Sequence, residues 1–219
     1  MNAARLDPAH TALLVIDMQR DFLVPEGYAA RAGLDIAPLR AAITPVRDLL
    51  QAARTAGLLI VHTREGHLPD LSDCPPYKRE RSRTAGAEVG SAGPLGRLLV
   101  RGEYGHDFID ELEPLSGEIV IDKPGYSAFA HTTLQQALVT HNIDTLLITG
   151  ITTEVCVSST LRAAIDAGYR CITVRDACAS SDPALHDAAL AMIGVEGGIF
   201  GTIADSADMS ALLRDGVAS

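Results

Sequence analysis

Short apolar runs with strand character alternate with stretches of helical period through most of this chain, and that alternation limits the fold more than any other feature. Thr11 to Ile16 opens the pattern as a first strand. Ile36 to Ala56 has helical spacing, with Leu39, Ile43, Val46, Leu49 and Leu50 along one side and Gly57 in the C-terminal capping place. Further strands are expected over Leu58 to His62, Glu118 to Asp122, Thr145 to Thr149, Arg170 to Val174 and, briefly, Gly198 to Ile203. Helices are expected over Thr132 to His141, Glu154 to Ala167, Ala184 to Val195 and Ser206 to Leu213. Strands separated by helices at this spacing form βαβ units. With right-handed crossovers they predict an α/β fold, a three-layer α/β/α sandwich with a mostly parallel six-stranded sheet. Aromatic residues make up only 4% of the chain and Trp is absent, so the core must be built from Ala, Leu, Ile and Val, which suits a sheet covered on both faces. The 219 residues show no repeat, low-complexity tract or linker, and one domain is expected over 1–219.

Charge and composition exclude several kinds of partner. The net charge of −10 would repel nucleic-acid phosphates, so no nucleic acid is expected. No apolar run approaches the roughly 20 residues of a membrane span, so no membrane is expected either. The first residues, Met1 to Pro8, lack the apolar centre of a signal peptide. The cysteines at 74, 156, 171 and 178 form neither a disulfide framework nor paired zinc-binding arms, and a cytoplasmic protein with reduced thiols is expected. From Thr63 to Gly105 no period is sustained; a stretch that long in a compact domain is usually functional or sits between subunits. Its glycines make no phosphate-cradling motif, so no cofactor is implied. The basic cluster Lys78 to Arg83 reads as a solvated loop or an intersubunit salt-bridge patch, or else as a lid whose Arg meets the substrate.

Three chemically distinct side chains follow three of the strands. Asp17 comes after Ile16, Lys123 after Asp122, and Cys156 shortly after Gly150. In an open parallel sheet the carboxyl ends of the strands form the ligand crevice, so these groups are expected to converge. Cys156 falls in the first turn of a helix, where the helix dipole favours a thiolate and free N–H groups can hold an oxyanion. Asp17, among apolar neighbours, is suited to act as base and then acid. Each group has a plainer reading: a buried structural thiol, a turn-forming Asp, a solvated Lys. Their shared location is what weighs against it.

The segments Leu13 to Phe22, Ile121 to Gly125 and Gly150 to Val157 resemble, in order and spacing, the signature segments of the isochorismatase-like cysteine hydrolases. The resemblance runs over nearly the whole chain. It implies a catalytic triad of Asp17, Lys123 and Cys156, a non-proline cis peptide at Ile151–Thr152, and an oxyanion hole made by the N–H groups of Thr152 and Cys156. It also implies a homodimer or homotetramer. His62 to Leu71, Lys78-Arg79, Arg81-Ser82, Arg101 to Glu103 and Gly197 to Gly201 are similar to the biuret hydrolase type. That likeness implies a small urea-like amide substrate (biuret, triuret or a carbamoyl amide), with Phe22, Tyr126 and Glu196 around it. Tyr126 stands where that type tends to carry Lys, and Glu196 where it tends to carry Gln; the differences suggest a larger substrate or one richer in N–H donors, or else that both residues are peripheral. His62, His67 and Asp70 do not match the metal-binding pattern of the family's nicotinamidases, and no metal is expected. A vinyl ether hydrolase and a catalytically idle binding protein on the same scaffold are the alternatives.

Overall fold

β1 (Thr11–Ile16) lies fully buried at the middle of the molecule, and the rest of the sheet is laid out from it. The computed structural model describes residues 6–217. Residues 1–5, part of the N-terminus read above for a signal peptide, lie outside the described residues. β1 is followed by α1 (Arg20–Leu23), α2 (Tyr28–Arg31), α3 (Ile36–Ala41) and α4 (Ile43–Ala56). Then come β2 (Leu59–Glu65), α5 (Pro76–Thr84), the two-residue strands β3 (Ala92–Gly93) and β4 (Gly96–Arg97), β5 (Ile119–Lys123) and α6 (Leu134–Thr140). The chain ends with β6 (Thr145–Ile151), α7 (Ser158–Asp166), β7 (Arg170–Ala179), α8 (Pro183–Ile193), β8 (Thr202–Ala204) and α9 (Ser206–Val217). The main sheet has six strands in the order β5-β2-β1-β6-β7-β8, every adjacent pair parallel. No described helix is long and apolar enough to cross a membrane.

Alternate residues of β1 feed opposite cores, as the two-residue period of a strand requires. Leu13 and Val15 pack with Leu39, Val46, Leu49 and Leu213, from α3, α4 and α9. Ala12, Leu14 and Ile16 pack with Leu134, Leu161 and Leu190, from α6, α7 and α8. Each fully buried Leu of these layers contributes about 2 kcal/mol by leaving water. The expected three layers are therefore present, with every strand of the main sheet parallel.

Several element boundaries differ from the expectation. Ile36 to Ala56 is two helices rather than one: Pro45 has no N–H to bond the Ala41 carbonyl, and the chain breaks at Ala42. β2 runs on through Thr63, Arg64 and Glu65, which pair with Ile121, Asp122 and Lys123. The polar letters concealed this extension, because charged residues are seldom buried in a strand. β7 continues to Ala179 past an irregularity opposite Ile148 and Gly150. β8 is confined to Thr202–Ala204, because Gly197, Gly198 and Gly201 all adopt positive φ. The stretch from Thr63 to Gly105 is not without structure. It contains the end of β2, α5 and the β3–β4 hairpin, packed on a small cluster of Tyr28, Cys74, Val89, Leu98 and Leu99.

Asp21 ties that stretch to the end of β1. Its buried carboxylate accepts the N–H of Leu99 at 2.8 Å and of Tyr28 at 3.3 Å. Burial raises its pKa to about 6, against the lowering effect of those two N–H groups.

Direction changes at the junction of β1 with β6. From β1 the chain builds outward through β2 and β5, then returns to build the other half through β6, β7 and β8. Crevices at such reversals are where open α/β sheets bind ligands. Gly150 makes this junction fit: it pairs with Ile16 at φ +113°, and a Cβ there would lie 2.1 Å from the Ile16 carbonyl oxygen. Gly150→Ala is expected to cost about 3 kcal/mol or more and to lower Tm by about 6–12 °C. A thermal melt within about 2 °C of the parent would refute this close-approach argument.

Candidate functional site

Five side chains from five elements meet at the carboxyl ends of the strands: Asp17, Glu65, Lys78, Lys123 and Cys156. Asp17 follows β1 and has φ +56°, a conformation Asp tolerates better than most residues. Its N–H still bonds the Thr63 carbonyl, so the residue turns out of the strand without leaving the sheet. Glu65 and Lys123 are the last residues of β2 and β5 and are register partners. Lys78 comes from α5. Cys156 lies in a turn of π-helix, Thr153–Val157, that leads directly into α7; it is this wide turn, not the first turn of an α-helix, that joins β6 to the helix.

Lys123 is fully buried and is the hub. Its ammonium lies 2.7 Å from Asp17 Oδ2 and 3.7 Å from Glu65 Oε2, and donates to the Gly125 carbonyl at 2.9 Å. Lys78 holds the other side of Glu65, with Nζ 2.7 Å from Oε1, and donates to the Pro124 carbonyl at 2.9 Å. Thr63 donates its hydroxyl to Asp17 Oδ1 at 2.6 Å. Buried Gln19 fixes the Glu65 backbone, accepting its N–H at 2.7 Å and donating to its carbonyl at 3.0 Å. The Cys156 thiol donates to Glu65 Oε2 at 3.4 Å.

The titration behaviour follows from this arrangement. Burial raises the proton affinity of Asp17; Lys123 opposes that shift and Glu65 adds to it. Burial would raise Glu65 as well, but the nearby ammonium groups of Lys123 and Lys78 bring it below the usual carboxylate value. For Lys123, burial is outweighed by Asp17, Cys156 and Glu65, and its proton is held more tightly than in water. Cys156 moves opposite to the sequence expectation. Burial lifts its pKa well above the ordinary thiol value, and Asp17 and Glu65 add to the rise against the pull of Lys123. The resting group is a neutral thiol beside a ready-made anion and cation.

A cavity of about 190 Å³ opens onto this cluster. Glu65, Cys156, Thr152 and Ile151 line it, together with apolar Phe22, Leu34, Leu39 and Val155. Arg81, Ala85, Tyr28, Ala32 and Tyr126 complete the lining. Arg81 donates to the Tyr126 hydroxyl at 3.1 Å and has no carboxylate partner among the described residues. The Ile151–Thr152 peptide is cis. Of the residues expected around the substrate, Phe22 and Tyr126 line the cavity. Glu196 does not: it is exposed in a turn after α8, at φ +50°.

Asp17, Glu65 and Cys156 offer two oxygens and a sulfur within 4.8 Å of one another, a donor set that could in principle hold a metal ion. The Lys123 ammonium already supplies positive charge between the carboxylates and would repel a second cation there. The donor set therefore does not fit a metal. His62 bonds Glu118 at 2.9 Å and His67 bonds Asp73 at 3.3 Å, while exposed Asp70 bonds Ser72; among the described residues they form no ligand group.

Neither Glu65 nor Lys78 was expected at the reacting centre, although Lys78 belonged to the basic cluster and to the biuret hydrolase likeness. Glu65 carried the same signal as Asp17 and Lys123, a charged residue at a strand's carboxyl end, but it lay beyond the apolar letters that marked β2. Lys78 carried none. Within a basic cluster it looks solvated, yet α5 turns it inward while Arg83 pairs with Glu88 at the surface.

The family follows from fold, site and sequence match together. The chain matches the isochorismatase domain over residues 11–208 and belongs to that family of hydrolases. Among solved structures it is similar to an isochorismatase family protein from Desulfovibrio vulgaris, with 28% identity and TM-score 0.75 over 96% of this chain and 99% of that one. It is also similar to N-carbamoylsarcosine amidase from Thermoplasma acidophilum, with 28% identity and TM-score 0.67 over 90% and 96% of the two chains. A cysteine hydrolase from Pseudomonas syringae pv. phaseolicola shares the fold at 24% identity and TM-score 0.79, over 97% and 96%.

Because Cys156 rests as a thiol of raised pKa, iodoacetamide should modify it slowly at pH 7, with the rate still climbing above about pH 9. Mass spectrometry of the Cys156 peptide measures this. A rate that levels off below about pH 8 would mean the site holds a thiolate at rest.

Proposed function

We propose that this protein is a cysteine-dependent amidohydrolase that cleaves the C–N bond of a small carbamoyl amide and releases ammonia. The observation that carries the reading is a buried thiol that lines a small cavity and is backed by a carboxylate of raised proton affinity paired with a buried ammonium. Asp17 accepts the Cys156 proton as the sulfur attacks the amide carbon, while Lys123 balances the charge that moves between them. Attack creates an oxyanion, for which the N–H groups of Thr152 and Cys156 are the donors. Protonated Asp17 gives its proton to the departing ammonia. Water, losing its proton to Asp17, then hydrolyses the thioester and frees Cys156.

The cavity supports a choice within the urea-like class. Biuret and triuret present N–H and C=O groups over most of their surface, and the wall of Phe22, Leu34, Leu39 and Val155 offers these no partner. A carbamoyl amide with a small aliphatic part and a carboxylate matches that wall and Arg81 as well. The N-carbamoylsarcosine amidase similarity agrees with this class.

The test is ammonia release from N-carbamoyl amino acids, biuret, triuret and nicotinamide. Carbamoyl amides should be the best substrates, and Cys156→Ala should lose about 1,000-fold or more in kcat. Arg81→Met should lower kcat/KM for the anionic amides about 10- to 100-fold and leave a neutral amide nearly unaffected. Preference for biuret or triuret would keep the amidase and replace the substrate. Ammonia release that survives Cys156→Ala would refute the sulfur as nucleophile, whereas silence on every amide together with Cys156-independent cleavage of a vinyl ether would favour the acid-catalysed alternative.

A further inference from the structure

The triad implied by the resemblance leaves a fourth ionisable group at the reacting centre without a role. Glu65 touches the thiol directly, is buried, and is held from three directions. Lys78 takes one carboxylate oxygen at 2.7 Å, Lys123 lies 3.7 Å from the other, and Gln19 clamps the backbone on both sides. Buried charges are costly unless paired, so a carboxylate supported in this way is built to remain an anion. We propose that Glu65 is a positioning residue: it holds the resting Cys156 as a hydrogen-bonded thiol, and its fixed negative charge sets the proton balance between Cys156 and Asp17. The proposal rests on the reading of Cys156 as nucleophile.

The division of labour follows from the partners. Glu65 answers two ammonium groups and is a poor base for the thiol proton, whereas Asp17 answers Lys123 alone and is the better one. Both carboxylate oxygens and the sulfur lie within 4.8 Å of one another, so a small rotation of the S–H bond moves the proton's hydrogen bond from Glu65 to Asp17. Until then the nucleophile stays neutral and resists stray alkylation and oxidation. In the same direction, Glu65 raises the proton affinity of both Asp17 and Cys156. Arg81, Tyr28 and Tyr126 face the same cavity, and His67 and Cys74 lie within electrostatic reach of Glu65. None of these comes between Glu65 and the sulfur.

The experiment combines Cys156 alkylation between pH 7 and 9.5, read by mass spectrometry, with the pH profile of kcat/KM. Glu65→Gln removes the charge and keeps the shape. It should speed Cys156 alkylation about 3- to 10-fold at a given pH and move the acid limb of the profile to lower pH, because Asp17 loses a neighbour that raises its pKa. Glu65→Asp keeps the charge but draws it back by one methylene, and should shift both readouts clearly less than Glu65→Gln. The double variant Glu65→Gln/Lys78→Met leaves no orphaned ammonium, guards against misfolding of the single variant, and should also alkylate faster. Unchanged or slower alkylation in both Gln variants would overturn the proposal. So would equal acceleration in Glu65→Asp, which would mean loosened packing. Alkylation needs no turnover, so an enzyme inactive on every amide tested would refute the proposed function and leave this inference to be decided separately.

Discussion

Everything at this site depends on one buried ammonium. Lys123 has no access to water, and an unpaired charge at that depth would cost several kcal/mol. The structure answers with Asp17 from β1 and Glu65 from β2, both within ion-pair distance. That pairing requires the carboxyl ends of β1, β2 and β5 to lie at one level. The parallel register meets the requirement, with Ile16 opposite Thr63 and Glu65 opposite Lys123. Lys78, from outside the main sheet, completes the cluster. Removing either partner of a buried pair usually destabilises more than the pair itself contributes, so the cluster constrains the fold as much as it furnishes the site.

The same cluster changes what the cysteine is. A position at the start of a helix suggested an easily ionised thiol. The surroundings do the reverse, because full burial and two carboxylates outweigh one lysine. On the proposed reading, the nucleophile forms only as its proton leaves for Asp17, so charge separation accompanies attack instead of preceding it. Glu65 adds to this restraint, which makes it part of the chemistry as well as of the scaffold.

On the proposed reading, substrate choice lies with the rest of the cavity lining. The cavity walls come from α1, α2, α3, α5, the segment after β5 and the π-helical turn, and they combine aliphatic and aromatic side chains with one guanidinium. α5 carries both Lys78 of the cluster and Arg81 of the wall, and the π-helical turn carries both Cys156 and Val155, so cluster and wall share segments.

The alternation of apolar runs with helical stretches was enough to determine the layers and the parallel sheet, because burial on both faces leaves a strand few other arrangements. Asp17, Lys123 and Cys156 were legible as three groups at strand ends, and they do meet. Glu65 and Lys78 were not, since polar letters in a strand and a lysine within a basic run look solvated until neighbours are known. Glu196 is exposed in the turn after α8 and does not line the cavity, a placement its letters could not give. Sequence by itself determined which residues must be buried and hence the architecture, because hydrophobic patterning is local and additive. Only the tertiary structure decided the protonation of Cys156 and the partners of Glu65, because desolvation and Coulomb attraction depend on distances between residues as far apart in the chain as 17, 65, 78, 123 and 156.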